Sequence, residues 1–264
     1  MKGVKRELLA ECLGTFVLIV FGIASVAQAV LKGNGSADLL PINLAWGLAV
    51  TMGVYIAGGI SGAHLNPAVT IALAVCKRFP WKKCLPYIAA QFLGAFLASI
   101  VVYLVYHEGI NAFDGGIRQV VGAKATAGIW ATYPQNYLSI LGGVIDQVVG
   151  TFLLVLVVFS LSDQKNTAPN ANLAPLLVGA TVVLIGMTFG FNAGYAINPA
   201  RDLSPRLFTY LFGWGPEVFT ASHSFWWVPV VAPIVGAVLG GIAYDFLITQ
   251  HHPDAESGAQ VSEV

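Results

Sequence analysis

Apolar residues run together along this chain in long blocks separated by short polar connections, with no sustained alternation of the kind a half-buried strand shows. Six blocks reach the roughly 20 residues that a helix needs to cross a hydrocarbon core, at about 8–30, 41–60, 83–107, 140–161, 172–191 and 226–248. Two other stretches are too short to span. Asn66 to Cys76 gives only about 16 Å of helix at 1.5 Å per residue, roughly half of a core of about 30 Å. Asn198 to Phe212 is comparably short and carries Arg201, Asp202 and Arg206. Charge at membrane depth is tolerated where it is buried in protein or lines a wet cavity, so both stretches predict re-entrant half-helices.

Each short stretch starts alike, with Asn66-Pro67-Ala68 and Asn198-Pro199-Ala200. Asn serves as an N-cap, and Pro suits the first helical position, where no backbone N–H is needed. The triplets anchor an internal repeat. Gly14-Thr15-Phe16-Val17-Leu18 returns as Gly150-Thr151-Phe152-Leu153-Leu154, and Leu93-Gly94-Ala95 is echoed by Val235-Gly236-Ala237, in the same order and at similar separations. The repeats cover about 8–107 and 140–248. Three spans per half turn the second copy upside down, which places the functional site near the midplane where the halves meet. The fold expected is an all-α membrane protein, one transmembrane domain over 1–264, with six spanning helices and two half-helices in an inverted repeat.

Composition agrees. With 56% hydrophobic residues, 10% charged residues and a mean hydropathy of +0.74, the chain is an integral membrane protein. Its net charge of zero argues against a nucleic-acid partner. Lys2, Lys5, Arg6, Lys77, Arg78, Lys82, Lys83 and Lys165 fall on one side of the predicted spans, against Lys32, Arg118 and Lys124 on the other, which puts both termini in the cytoplasm. The first apolar block resembles a signal peptide but has the length of a span and no cleavage site, so it is expected to remain. The connection 108–139 reads as an irregular outer loop marked by Gly115-Gly116 and Tyr133-Pro134, and 249–264 as a disordered cytoplasmic tail.

Little else in the chain carries chemistry. Cys12, Cys76 and Cys84 have no metal or disulfide spacing, and no nucleophile with a base and no phosphate loop is present, so neither an enzyme nor a metal or other cofactor is expected. Gly58, Gly59, Gly62, Gly94 and Gly236 predict close helix contacts. Asn34-Gly35-Ser36 is a glycosylation sequon too near the membrane for occupancy.

The half-helices carry the chemistry. Each start presents unpaired N–H groups and roughly half a positive charge, so two starts facing across a pore repel cations. If the Asn66 and Asn198 oxygens cap their own helices, their amide NH2 groups remain to donate to a solute oxygen. Extended backbone before them, at Gly62, Ala63, His64 and Leu65 and at Ala193, Gly194, Tyr195 and Ala196, offers carbonyl acceptors. Acceptors on one wall and apolar side chains opposite suit an uncharged solute bearing hydroxyls. His64 is read either as a neutral partner that holds the loop or as a pH-dependent gate. Glu11 and Asp146 or Gln147 read as buried hydrogen-bond supports for the loops.

Ser61-Gly62-Ala63-His64-Leu65-Asn66-Pro67-Ala68-Val69 and Gly194-Tyr195-Ala196-Ile197-Asn198-Pro199-Ala200-Arg201-Asp202 resemble the paired signature of the aquaporin superfamily. Asp202, Arg206, Pro229 and Val230 are similar to positions that mark its glycerol-conducting branch. Tyr133-Pro134, Pro205-Arg206-Leu207-Phe208-Thr209 and Trp226-Trp227-Val228-Pro229 resemble animal aquaglyceroporins of the aquaporin-3, -9 and -10 type. The resemblance implies a passive channel for glycerol and water that excludes ions and protons and extends to urea or other small neutral solutes. It implies a homotetramer in the lipid bilayer, expected in the plasma membrane, with a constriction at Trp46, Gly186, Tyr195 and Arg201. Gly186 is expected there to leave room that a bulkier side chain would take. The family carries one buried glutamate in each half; Glu11 matches the first, while Gln147 stands at the second.

Overall fold

The computed structural model describes residues 3–33 and 39–253. Its helices are α1 (Val4–Leu31), α2 (Leu39–Ser61), α3 (Pro67–Val75), α4 (Trp81–Asp114), α5 (Ile140–Ser162), α6 (Ala174–Ala193), α7 (Pro199–Thr209), α8 (Glu217–Ser224) and α9 (Val228–Leu247). Among the described residues, α1, α2, α4, α5, α6 and α9 with its flanking turns are long and apolar enough to cross a membrane. They match the six predicted blocks, and α3 and α7 are the two half-length helices.

In one half α1 packs on α2 and α4; in the other α5 packs on α6 and α9; α2 against α6 joins them. Each half-helix leans on the opposite half, α3 on α9 and α7 on α4. Small residues set the crossings. A Cβ on Gly94 would meet the Cys12 carbonyl oxygen at 2.2 Å, and one on Gly236 would meet that of Val148 at 2.2 Å. These equivalent glycines let α1–α4 and α5–α9 approach backbone to backbone. Across the halves, a Cβ on Gly47 would lie 2.5 Å from the Gly179 oxygen.

Gly58, Gly59 and Gly62 differ from the expectation of close contacts. A Cβ on Gly58 or Gly62 would have its nearest neighbour at 3.9 Å, and one on Gly59 would meet nothing within 4 Å. They border the central cavity, and their missing side chains widen its mouth. Helix α4 also outruns its predicted end at 107, reaching Asp114 before Gly115 stops it in the left-handed conformation at φ 71°. Leaving the bilayer does not end a helix; a C-terminal glycine does. Asp114 is then held by two hydrogen bonds of 2.8 Å from Arg118 Nη1.

The expectation of disorder from residue 249 is corrected at its start. Thr249–His251 form a helical turn, and His252 Nε2 lies 2.7 Å from Asp163 Oδ2 at the end of α5. The chain stays ordered there because it has a polar anchor to reach. Residues 254–264 and the Asn34-Gly35-Ser36 sequon lie outside the described residues.

Candidate functional site

The two half-helices begin with nearly the same geometry. Asn66 is extended at φ −156° and ψ 119° and accepts from Ala68 N at 2.9 Å. Asn198, at φ −153° and ψ 110°, accepts from Ala200 N at 3.0 Å and Arg201 N at 3.2 Å. The side-chain oxygen of each thus caps its own helix, and the amide nitrogen crosses to the other half. Asn66 Nδ2 donates to the Ile197 carbonyl and Asn198 Nδ2 to the Leu65 carbonyl, both at 2.8 Å. One amide hydrogen on each Asn is left for a solute.

Those carbonyls point across the midplane because Leu65 and Ile197 are left-handed, with φ of 52° and 42°. Such a backbone costs on the order of 1–3 kcal/mol in a residue with a Cβ and persists only when its surroundings fix it. Here both polar groups of each residue are fixed. Leu65 N donates to Glu11 Oε2 at 2.8 Å, Ile197 N donates to Gln147 Oε1 at 3.2 Å, and the carbonyls accept from the opposite Asn.

Glu11 is fully buried and accepts from Ser61 Oγ, His64 N, Leu65 N and Gln91 Nε2 at 2.6–2.9 Å. Gln147 does the equivalent work without charge, because its Nε2 also donates to the Gly194 carbonyl at 2.7 Å. A carboxylate there would set oxygen against oxygen. Its Nε2 donates to Asp146 Oδ2 as well, and Asn192 Nδ2 donates to Asp146 Oδ1. His64 Nδ1 lies 3.1 Å from Thr70 Oγ1, and its ring meets Phe79 edge-on at 4.5 Å and Tyr87 at 5.0 Å. This is the packing of a loop support.

A cavity of about 680 Å³ runs past this centre. Tyr55, Gln164 and Asn172 border one end and Trp46, Tyr195 and Arg201 the other, with Gly62, Ala63, His64, Leu65, Asn66 and Asn198 between. Leu18, Val50, Val54, Leu154, Val158, Val178 and Val182 supply the apolar wall. On the second loop, Tyr195, Ala196 and Ile197 line the cavity, while Ala193 and Gly194 do not. Ala193 still belongs to α6, and the Gly194 carbonyl is engaged by Gln147, so the acceptors of this loop sit nearer Asn198 than the sequence reading placed them.

At the end bordered by Trp46, Tyr195 and Arg201 the Arg201 guanidinium carbon lies 4.3 Å from the centroid of the Trp46 ring. Arg201 Nη1 donates to the Trp130 carbonyl at 3.2 Å. Asp202 does not pair with Arg201; it binds Arg206 Nε at 3.0 Å and accepts from Thr132 N at 2.7 Å and Thr132 Oγ1 at 2.5 Å. Arg206 Nη2 donates to the Thr132 carbonyl at 2.6 Å and Nη1 to that of Val218 at 2.8 Å. This buried pair latches the outer loop onto α7 and so places the Trp130 carbonyl against Arg201.

Gly186 acts from behind the wall. It does not border the cavity; a Cβ there would lie 2.5 Å from Tyr195 Cζ. Its missing side chain seats the Tyr195 ring. Trp46 has the same kind of seat in Gly22, where a Cβ would meet ring atoms Cζ3, Cε3 and Cη2 at 2.3, 2.4 and 2.5 Å. Sequence reasoning missed Gly22, Trp130 and Thr132. Trp130-Ala131-Thr132-Tyr133 was the available signal for the loop residues, an apolar and aromatic run inside an otherwise polar connection.

The family model for major intrinsic proteins matches residues 1–244. Human aquaporin-9 is 48% identical over 252 residues, covering 96% of this chain and 85% of that protein. Mouse aquaporin-7 is 48% identical over 259 residues, covering 98% and 84%. Aquaglyceroporin-2 of Rhizophagus irregularis is 46% identical over 243 residues, covering 92% and 77%. The X-ray structure of the aquaglyceroporin from Plasmodium falciparum superimposes with a TM-score of 0.85 at 35% identity, covering 94% of this chain and 98% of that one. The shared fold and a match along nearly the whole length have one meaning: the chain belongs to the major intrinsic protein family of membrane channels.

Proposed function

We infer that the protein is a passive transmembrane channel for glycerol and water, extending to urea and other small neutral solutes, and excluding ions and protons. The observation that carries this reading is the form of the cavity. It passes two facing helix starts and is lined beyond them by Trp46, Tyr195 and Arg201, with the guanidinium against the Trp46 ring. A polyol fits such a wall, with its CH edge against Trp46 and Tyr195 and its hydroxyls on the remaining N–H groups of Arg201. The Asn66 and Asn198 amides and the carbonyls of Gly62, Ala63, His64, Leu65, Tyr195 and Ala196 replace solvent along the rest of the path. Protons are opposed by the positive ends of α3 and α7 together with Arg201.

The assignments of Asn66, Pro67, Ala68, Asn198, Pro199 and Ala200 to the pore centre, and of Trp46, Tyr195 and Arg201 to the constriction seated by Gly186, belong to this reading. So do a homotetrameric assembly, residence in the plasma membrane and cytoplasmic termini. The distribution of Lys and Arg supports the last of these, and the family resemblance supports the tetramer.

Stopped-flow light scattering on proteoliposomes, in a glycerol gradient beside a sorbitol gradient, tests the conclusion. Fast shrinkage in both, followed by fast reswelling in glycerol that is linear in concentration, is the expected result. Shrinkage without accelerated reswelling means a water-selective pore. Saturation at low glycerol, or dependence on a sodium or proton gradient, means a coupled transporter; either result overturns the proposal.

A further inference from the structure

Two buried polar atoms beside the constriction have no hydrogen-bond partner among the described residues: Oδ1 of Asn43 and the hydroxyl of Tyr195. Buried groups of this kind are almost always paired, so each calls for an explanation. Asn43 sits in the apolar body of α2, is only 3% exposed, and precedes Trp46 by three positions, on the same helix face. Tyr195 borders the cavity, whereas its hydroxyl is fully covered.

Gly186 brings the two groups together. The point where its Cβ would stand is 2.5 Å from Tyr195 Cζ, the carbon that bears the hydroxyl, and 2.7 Å from Asn43 Oδ1. One turn on, a Cβ at Gly190 would meet Tyr195 Cδ1 at 3.1 Å and Asn43 Oδ1 at 4.0 Å. Two glycines of α6 thus form a floor on which the tyrosine ring and the asparagine amide lie side by side. A hydroxyl donates and accepts, so either atom of the amide serves it.

We propose that Asn43 is a positioning residue for the constriction: its amide and the Tyr195 hydroxyl, not bonded to one another as they stand, close into a hydrogen bond on a small side-chain rotation, and that bond holds the ring on its glycine floor, setting the width left beside Arg201. Trp46 and Asn43 come from one face of α2, so a single helix fixes both aromatic walls, one by supplying the ring and one by tethering it. Without the tether the ring is free to tilt off Gly186 toward the lumen it borders. A polyol is then obstructed more than water. The inference rests on reading Trp46, Tyr195 and Arg201 as the constriction.

The test is the ratio of glycerol to water permeability in proteoliposomes, measured for Asn43→Leu, Asn43→Asp, Tyr195→Phe and the Asn43→Leu/Tyr195→Phe double variant. Losing one hydrogen bond of ordinary strength lowers the ratio by about threefold to tenfold in Asn43→Leu and in Tyr195→Phe. The double variant shows no further loss, since both changes break the same bond. Asn43→Asp, isosteric and still able to accept, keeps the wild-type ratio. Should Asn43→Leu not assemble, Asn43→Ser carries the same comparison. An unchanged ratio in Asn43→Leu beside a lowered one in Tyr195→Phe overturns the proposal, as does an additive double variant. If Tyr195→Ala and Trp46→Ala also leave the ratio at its wild-type value, the constriction lies elsewhere and the underlying reading falls with it.

Discussion

Gly22→Ala changes nothing that touches the solute, yet it should alter selectivity. The new Cβ would lie 2.3–2.5 Å from three atoms of the Trp46 ring, where carbon atoms normally rest about 3.5–4.0 Å apart. The ring, or α1 itself, must therefore give by about 1 Å or more. Helix α1 is packed on both α2 and α4, so the ring yields into the cavity that Trp46 borders and presses on the Arg201 guanidinium, 4.3 Å from the ring centroid. Overpacking of this kind costs about 1–3 kcal/mol. Expressed as an added barrier to a solute that needs the full width, that is roughly a fivefold to hundredfold loss of glycerol permeability. Water needs less width and should lose much less. Stopped-flow water and glycerol permeabilities from one preparation, normalised to folded protein in the liposomes, give the result. Equal losses for the two solutes, or no loss of either, would refute the argument that Gly22 sets the position of this wall.

Other changes test the supports. Asn198→Ala removes the cap on Ala200 N and Arg201 N and the donor to the Leu65 carbonyl, for about 1–2 kcal/mol from the cap and about 1–3 kcal/mol from the stranded carbonyl; an unaltered thermal midpoint in detergent would contradict this. Asp202→Ala leaves Arg206 buried without its carboxylate, at about 3–5 kcal/mol, so little folded channel should be recovered, and adding Arg206→Met should restore part of it. At the membrane edge, desolvation raises the Asp163 pKa, but hydrogen bonds from His252 and Tyr244 more than offset it and hold the carboxyl below its usual range. A depressed pKa stabilises the clasp above the unfolded value of about 4 and loses it as pH falls through the folded value. Hydrogen exchange around 244–252 should stay slow from pH 7 to 5 and accelerate only in stronger acid; acceleration between 7 and 5 would place control elsewhere.

The elements that bury backbone in lipid were legible because lipid leaves few choices. A run of about 20 apolar residues must be a helix there, and a half-length run opened by Asn-Pro must turn back inside protein. Glu11 was legible for a related reason, since a carboxylate at that depth needs donors. What stayed hidden depends on side-chain direction. Gly58 and Gly94 are the same residue in similar apolar settings, yet one opens a vestibule and the other lets two backbones touch. Gly186 was assigned to the constriction through the family resemblance, but only the structure puts the Tyr195 ring on top of it. Asn43 carried a readable sign, a lone amide within an apolar span, although nothing in the sequence says what it faces.

The crossed bonds from Asn66 to the Ile197 carbonyl and from Asn198 to the Leu65 carbonyl bear on how the molecule is made. During synthesis the first half emerges while the partners of the Asn66 amide nitrogen and the Leu65 carbonyl have not yet been translated. An unmet carbonyl and an unmet amide in lipid are costly, so the first loop has reason to remain unseated until α7 arrives. Closure of the midplane is then among the last events of folding, whatever the order in which the six long helices insert. The same reciprocity is that of a two-fold interface, in which one surface recognises its own copy. A single three-span unit, paired antiparallel about a two-fold axis with a second molecule of itself, would satisfy the same two bonds without the 108–139 connection.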